Sequence, residues 1–239
     1  MRRFCTAFCA LSFLLLFIGG AFLGFERVAL DSAVYDRIQA HLDIYDDAGL
    51  SPEAQSRVNV VLARYLRGDL PSIDIEEEVF GVKGEVFNED EKAHMIDVFH
   101  LFELERTIRT ACLGAGCVLL AAVCFLSPSQ MKRTLRRGLK VFALILLLLA
   151  TVAVLLWTTS GFDRLFLLFH ELFFTNDLWL MDPRTDAMIR MLPSGFFLQI
   201  ASEAGIRALV YGFAFTAAAC LLLLAAGLII DNPWRKQTS

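Results

Sequence analysis

The sequence predicts an all-α integral membrane protein with four transmembrane helices, a small, mostly helical extracytoplasmic cap and a re-entrant or interfacial outer loop. Three observations predict it. Of 239 residues, 56% are hydrophobic and only 20% charged, a balance that soluble domains do not carry. Four stretches, at 4–25, 108–126, 141–157 and 209–230, approach the ~20 apolar residues needed to cross a ~30 Å hydrocarbon core, the third at the short end of the range. The basic residues are gathered where short loops and tails would meet the membrane. Arg2 and Arg3 precede the first stretch, Lys132, Arg133, Arg136, Arg137 and Lys140 fill the link between the second and third, and Arg235 and Lys236 follow the last.

With four crossings these three basic sites share a side, and the positive-inside tendency makes that side cytoplasmic. The expected layout is a first span within 1–25, an extracytoplasmic cap at 26–107 and a second span at 108–126. A cytoplasmic basic loop at 127–140 and a third span at 141–157 follow. The chain closes with an outer interfacial loop at 158–208, a fourth span at 209–230 and a cytoplasmic tail at 231–239. Residues 26–106 hold 19 acidic against 8 basic side chains, consistent with translocation. The first stretch reads as an anchor, because its run of about 22 residues exceeds the usual ~7 to 15 of a signal-peptide core and no good Ala-x-Ala site follows. Arg109 sits at the very start of the second span, where its long side chain can reach the interface. The localisation expected is a bacterial cytoplasmic membrane, with both termini inside and the active face outside.

A net charge of −4 supplies no basic field, so nucleic acid is not an expected partner. Cys5, Cys9, Cys112, Cys117, Cys124 and Cys220 all fall inside predicted spans. A disulfide framework and an outward-facing thiol nucleophile are therefore not expected. Nothing has the spacing of a metal site, a nucleotide loop or a serine-hydrolase elbow, and no cofactor is expected.

Within the cap, Val34, Ile38, Leu42 and Tyr45 recur on one helical face. Ser51 and Pro52 supply a cap and first-turn pair, Ala54, Val58, Val61, Leu62, Tyr65 and Leu66 continue the period, and Gly68 stops it. A β-ribbon is expected over 79–87, turning around Lys83 and Gly84. Asn88 then caps a helix, with Glu91 three residues on in an Asn version of the capping box. Its periodicity runs without a breaker into the second span.

The histidines are the place to look for chemistry. Asp90, His94, Asp97 and Leu101 form one stripe at spacings of four, three and four, so a carboxylate lies one turn either side of His94. A carboxylate beside an imidazole fixes its tautomer and raises its basicity. A solvated face with incidental charges would show the same pattern. His170 lies in 162–174, a Phe- and Leu-rich segment too short to span, which suits a helix in the outer interface. After Trp179, Asp182 and Pro183 are expected to start a short helix through Met191, ended by Leu192 and Pro193. An anchoring loop without catalytic content would also fit.

Two blocks, Phe87-Asn88-Glu89-x-Glu91-x-x-His94-Met95-x-Asp97-Val98 and Phe169-His170-Glu171-x-Phe173-Phe174 with Trp179 and Asp182-Pro183-x-Thr185-Asp186, together resemble the bacterial lipoprotein intramolecular transacylase family. The upstream Arg64-Tyr65-Leu66-x-Gly68 and the four-span layout are similar too, and the resemblance covers nearly the whole chain. It implies an O-to-N acyl transfer. The sn-2 acyl chain of a diacylglyceryl-cysteine would move to that cysteine's own α-amine, leaving an N-acyl, S-monoacylglyceryl (lyso-form) lipoprotein. Diacylglyceryl-modified lipoproteins and outer-leaflet lipids are the partners implied. His94 and His170 would be catalytic, sharing base and acid roles in an order the sequence leaves open, or forming an acyl-imidazole. Asp97 would orient His94 with Tyr65 in support, and Asn88, Trp179 and Asp186 would hold the substrate. The competing classes are a metal-dependent hydrolase and a non-catalytic membrane sensor or assembly protein that uses the acidic cap.

Overall fold

The fold is that of a computed structural model describing residues 2–230; the tail with Arg235 and Lys236 lies outside them. Among the described residues, eight α-helices and one two-stranded ribbon follow in chain order: α1 (Arg2–Ala29), α2 (Ser32–Leu42), α3 (Tyr45–Ala48), α4 (Pro52–Arg67), β1 (Glu76–Val79), β2 (Val82–Glu85), α5 (Glu89–Leu126), α6 (Met131–Phe173), α7 (Ala187–Met191) and α8 (Ser194–Ile230). Among these, α1, α5, α6 and α8 are long and apolar enough to cross a membrane, as the composition predicts. Contacts divide the chain into two units, 1–24 with 106–155 and 207–239, and 25–105 with 156–206.

The first unit is a helical bundle. Its buried centre contains Cys9, Phe13, Leu16, Val123, Phe142 and Leu223, and Phe142 meets Phe13 and Phe17 edge to face. Small residues bring α1 against α8. A Cβ at Gly20 would lie 2.8 Å from the Tyr211 carbonyl oxygen, and one at Gly24 would lie 2.5 Å from that of Arg207. Glycines four apart are what let two membrane helices approach backbone to backbone. All six cysteines are free and lie in this unit. The second and third apolar stretches are joined by Ser127 and a 3-10 turn, Pro128–Gln130. The basic residues expected in a loop therefore ride on the first turns of α6.

The second unit is the polar one. Asp31 caps α2 by accepting from the Ala33 N–H, and Ser51 caps α4 by accepting from Ala54. Gly68, at φ 87°, ends α4 in the left-handed conformation. The two cap helices expected from the periodicities of 34–45 and 51–68 are present, although Tyr45 starts a separate helix because Asp43 turns left-handed at φ 52°. Val58, Leu62, Leu66, Phe87, Met95 and Met191 meet in the core. Buried Gln39 and Asn59 exchange amide hydrogen bonds, and the Gln39 Nε2 also donates to the Met191 carbonyl, tying α2, α4 and α7 together.

Three further elements depart from expectation. The ribbon turns at Phe80 and Gly81, both with positive φ, instead of at Lys83 and Gly84. This two-residue turn matches the strand twist, and tertiary contacts hold Phe80 in it, since its N–H donates to the Gly49 carbonyl and Arg190 lies over its ring. The short helix begins at Ala187 instead of at Asp182, because the Asp186 carboxylate accepts from the Asp182 N–H and folds 182–186 into a turn. Finally, α8 starts at Ser194, well before the apolar stretch.

Candidate active site

His94 is positioned by the cap of α5. Asn88 Oδ1 accepts from the Glu91 N–H at 2.9 Å, and Glu91 Oε2 accepts from the Asn88 N–H at 2.8 Å. This reciprocal pair fixes the start of the helix, and His94 follows one turn later. His170 is positioned by a break. Gly161, at φ 70° and ψ 172°, is non-helical within α6; φ in that range favours glycine. A helical segment resumes beyond it and carries His170 through 162–173.

The two imidazoles meet. Their ring centres are 6.3 Å apart and their planes 26° from parallel, so they do not bond each other directly. A shared substrate group can be hydrogen-bonded by both, at ~3 Å from each. Both side chains are buried, His94 at 7% exposure and His170 at 8%. Phe174 contacts both rings, at 5.0 Å from His94 and 5.4 Å from His170. Phe166 and Trp179 cover His170 at 4.3 and 5.1 Å. This aromatic enclosure excludes water, which strengthens any polar interaction made inside it.

The electrostatics follow from burial. His94 is pushed down to about 4, first by desolvation and then by the neighbouring His170, with Asp97 opposing. His170 is also lowered by burial, while its bond to Phe166 opposes the shift. Both rings are therefore neutral near pH 7. The His170 Nδ1 donates to the Phe166 carbonyl at 2.7 Å, and this assigns the proton to Nδ1 and leaves a lone pair on Nε2. The His94 Nδ1 is buried without a hydrogen-bond partner.

The other candidates are distributed differently from the expectation. Asp97 influences His94 through its charge, but its Oδ2 accepts from the Asn176 Nδ2 at 2.9 Å. Tyr65 sits in the apolar core with its ring against Phe99. Asn88 and Asp186 bond each other at 2.9 Å, a structural tie between α5 and the 182–186 turn. Trp179 joins the histidine pair through its ring, while its indole Nε1 is buried and unpartnered.

Sequence reasoning missed Asn176, Phe166 and the second role of Glu91. The capping-box pattern marked Glu91, but its Oε1 also accepts from the Met188 N–H at 2.6 Å, a residue 97 positions away. Beside this stripe a cavity of about 280 Å³ is lined by Asp90, Glu91, Asn176, Asp177, Met181 and Asp186 among others. Among the described residues, no three His, Cys, Asp or Glu side chains are grouped as a metal-ligand set.

The fold and site together define a multi-pass helical membrane protein with a buried histidine pair in its polar unit. Residues 9–197 match the family model of the lipoprotein intramolecular transacylase Lit, and the chain belongs to that family. The fold is similar to the structure of the membrane integral lipoprotein intramolecular transacylase Lit from Bacillus cereus. Identity to it is 22%, the TM-score is 0.64, and coverage is 100% of this chain and 99% of that one. Two variants of the Bacillus cereus protein, with one histidine replaced by arginine or by alanine, match at 20% identity. Their TM-scores are 0.67 and 0.68, with 94% of this chain and 92% and 94% of theirs covered. No curated protein matches the chain.

Proposed function

We propose that the protein transfers the sn-2 acyl chain of a diacylglyceryl-cysteine lipoprotein to the α-amine of the same cysteine, at the outer face of a bacterial cytoplasmic membrane. The observation that carries this reading is the convergence of neutral His94 and His170 inside an aromatic enclosure. The α-amine, with a pKa of ~7.7–8.0, is largely protonated at neutral pH and needs a base. His170 supplies one, since its Nδ1–H is committed to Phe166 and its Nε2 is left as the acceptor. The deprotonated nitrogen attacks the ester carbonyl and forms a C–N bond. His94 remains neutral and donates a ring N–H to the developing oxyanion, a task for which a low-pKa imidazole suits better than an imidazolium. Collapse breaks the C–O bond to glycerol; the departing oxygen takes one proton back from His170, and the second proton that the original ammonium loses as the amide forms passes to solvent.

Amine and ester belong to one molecule, so holding their ends together supplies much of the rate through effective concentration. Ester-to-amide exchange is downhill and needs no nucleotide. The acidic cap and the three basic sites argue for the outward orientation of the polar unit and for cytoplasmic termini. The Phe- and Leu-rich helical segment at 162–173 then lies in the outer interface, where outer-leaflet lipid esters are found.

Mass spectrometry of lipoprotein N-termini from cells with and without this protein tests the reading. Appearance of N-acyl, S-monoacylglyceryl cysteine only when the protein is present supports it. Unchanged termini return the chain to the non-catalytic sensor or assembly class.

A further inference from the structure

Three side chains, the Asn88 cap of α5 and two from its first turns, reach across to the segment that follows α6. Asn88 bonds Asp186, Asp97 accepts from Asn176, and Glu91 accepts from the Met188 N–H. His94 lies on the same turns, between Glu91 and Asp97, and the tethered segment 176–188 carries Trp179 onto His170. The three ties are unequal. The Asn88–Asp186 bond is exposed, as is the Asn176 bond to Asp97, so water competes for both. Glu91 is 1% exposed, and its two oxygens are divided between two backbone N–H groups, Asn88 on its own helix and Met188 on α7. A buried carboxylate accepting from two N–H groups makes charge-assisted bonds that no solvent replaces.

We propose that Glu91 is a positioning residue for the transfer reaction, the buried strut that holds the Trp179 segment against the His94 helix and so sets the spacing of the two imidazoles. This rests on the transacylase reading above. Glu91 touches neither histidine ring and acts only through the backbone it holds. Its substitution by Gln keeps the volume, but places an amide N–H2 against one of the two backbone donors. Either the Asn88 or the Met188 N–H then loses its acceptor, and the segment between Asn176 and Met188 loosens at one end.

The experiment uses full-length protein in lipid bilayers, in a Trp157→Phe, Trp234→Phe background that leaves Trp179 as the only tryptophan. Glu91→Gln is compared with the parent and with Glu89→Gln, an exposed carboxylate of the same turn. Conversion of a synthetic diacylglyceryl lipopeptide, Trp179 emission and thermal unfolding are measured on each. The expected result for Glu91→Gln is a kcat at least tenfold lower, KM within threefold, a Trp179 emission maximum moved to longer wavelength and an unfolding temperature lowered by less than about 5 °C. Glu89→Gln should match the parent throughout. A kcat within twofold of the parent overturns the proposal, as does unaltered Trp179 emission. A loss of activity accompanied by an unfolding temperature lowered by more than about 5 °C also overturns it, since the role is then only structural. The emission change needs no turnover, so it tests the strut even if the lipopeptide is not converted, and failure of the transacylase reading is recognised separately.

Discussion

His94 and His170, 76 residues apart in the chain, bring their rings to 6.3 Å within one aromatic enclosure. Neither ring bonds the other. Each is thereby left to act on a third group, which is the arrangement that a reaction needing both a proton acceptor and an oxyanion donor requires.

Replacing either histidine by Ala is expected to lower lipoprotein conversion by ~10²–10⁴-fold while expression and membrane insertion are retained. Intact mass of lipoprotein N-terminal peptides measures this. A variant that converts at the parental rate removes that histidine from the mechanism.

The depressed pKa of His94 has a definite sign in stability. It stands at about 4, against 6.5 in the unfolded chain, because burial and His170 disfavour its cation. Between these values the unfolded state binds a proton that the folded state does not. The residue's contribution is therefore complete above pH 6.5 and is lost as pH falls toward about 4. Thermal unfolding from pH 7 to 4 should decline more steeply in the parent than in His94→Gln, and equal slopes would contradict the desolvation argument.

Asn88 is expected to act as a cap more than as a substrate ligand. Asn88→Ala removes the side chain that accepts from Glu91 N–H and donates to Asp186, at a cost of ~1 kcal/mol typical of a lost N-cap. Its unfolding temperature should fall with KM for a lipopeptide substrate little changed. A large rise in KM at unchanged stability would instead place Asn88 on the substrate.

Trp179 gives a prediction with two arms. Its ring covers His170 but its Nε1 has no partner, so Trp179→Phe keeps an aromatic face and removes a buried unsatisfied donor, leaving stability equal or higher. Trp179→Ala uncovers His170 and should lower kcat at least tenfold. A Phe variant as inactive as the Ala variant would show that the indole N–H itself takes part.

In the bundle, Gly24→Leu is expected to destabilise by ~1–3 kcal/mol through overpacking, because a side chain there meets the Arg207 carbonyl of α8. Lower yield and a lower unfolding temperature in detergent are the readouts, and unchanged values would refute the close approach of α1 and α8.

Much of the fold was legible because its signals are local. The caps at Asn88 and Ser51, the glycine stop at Gly68 and the apolar runs of α1, α5, α6 and α8 depend on residues within one or two turns. The turn at Phe80 and Gly81 was not legible, since an aromatic residue at positive φ is unfavourable alone and is held by Gly49 and Arg190 from elsewhere in the chain. Helical spacing places Asp97 one turn from His94 and predicts it as the orienting partner. Spacing sets proximity but not hydrogen bonding, and Asn176 takes the carboxylate.

The sequence by itself determined a four-helix membrane protein and both histidines, because hydrophobic run length and short motifs are written in consecutive residues. Only the tertiary structure decided that the two rings meet, that Glu91 reaches Met188 and that burial makes His94 a weak base. Those properties arise from packing between segments some 76 to 97 residues apart, and no local pattern encodes the desolvation such packing creates.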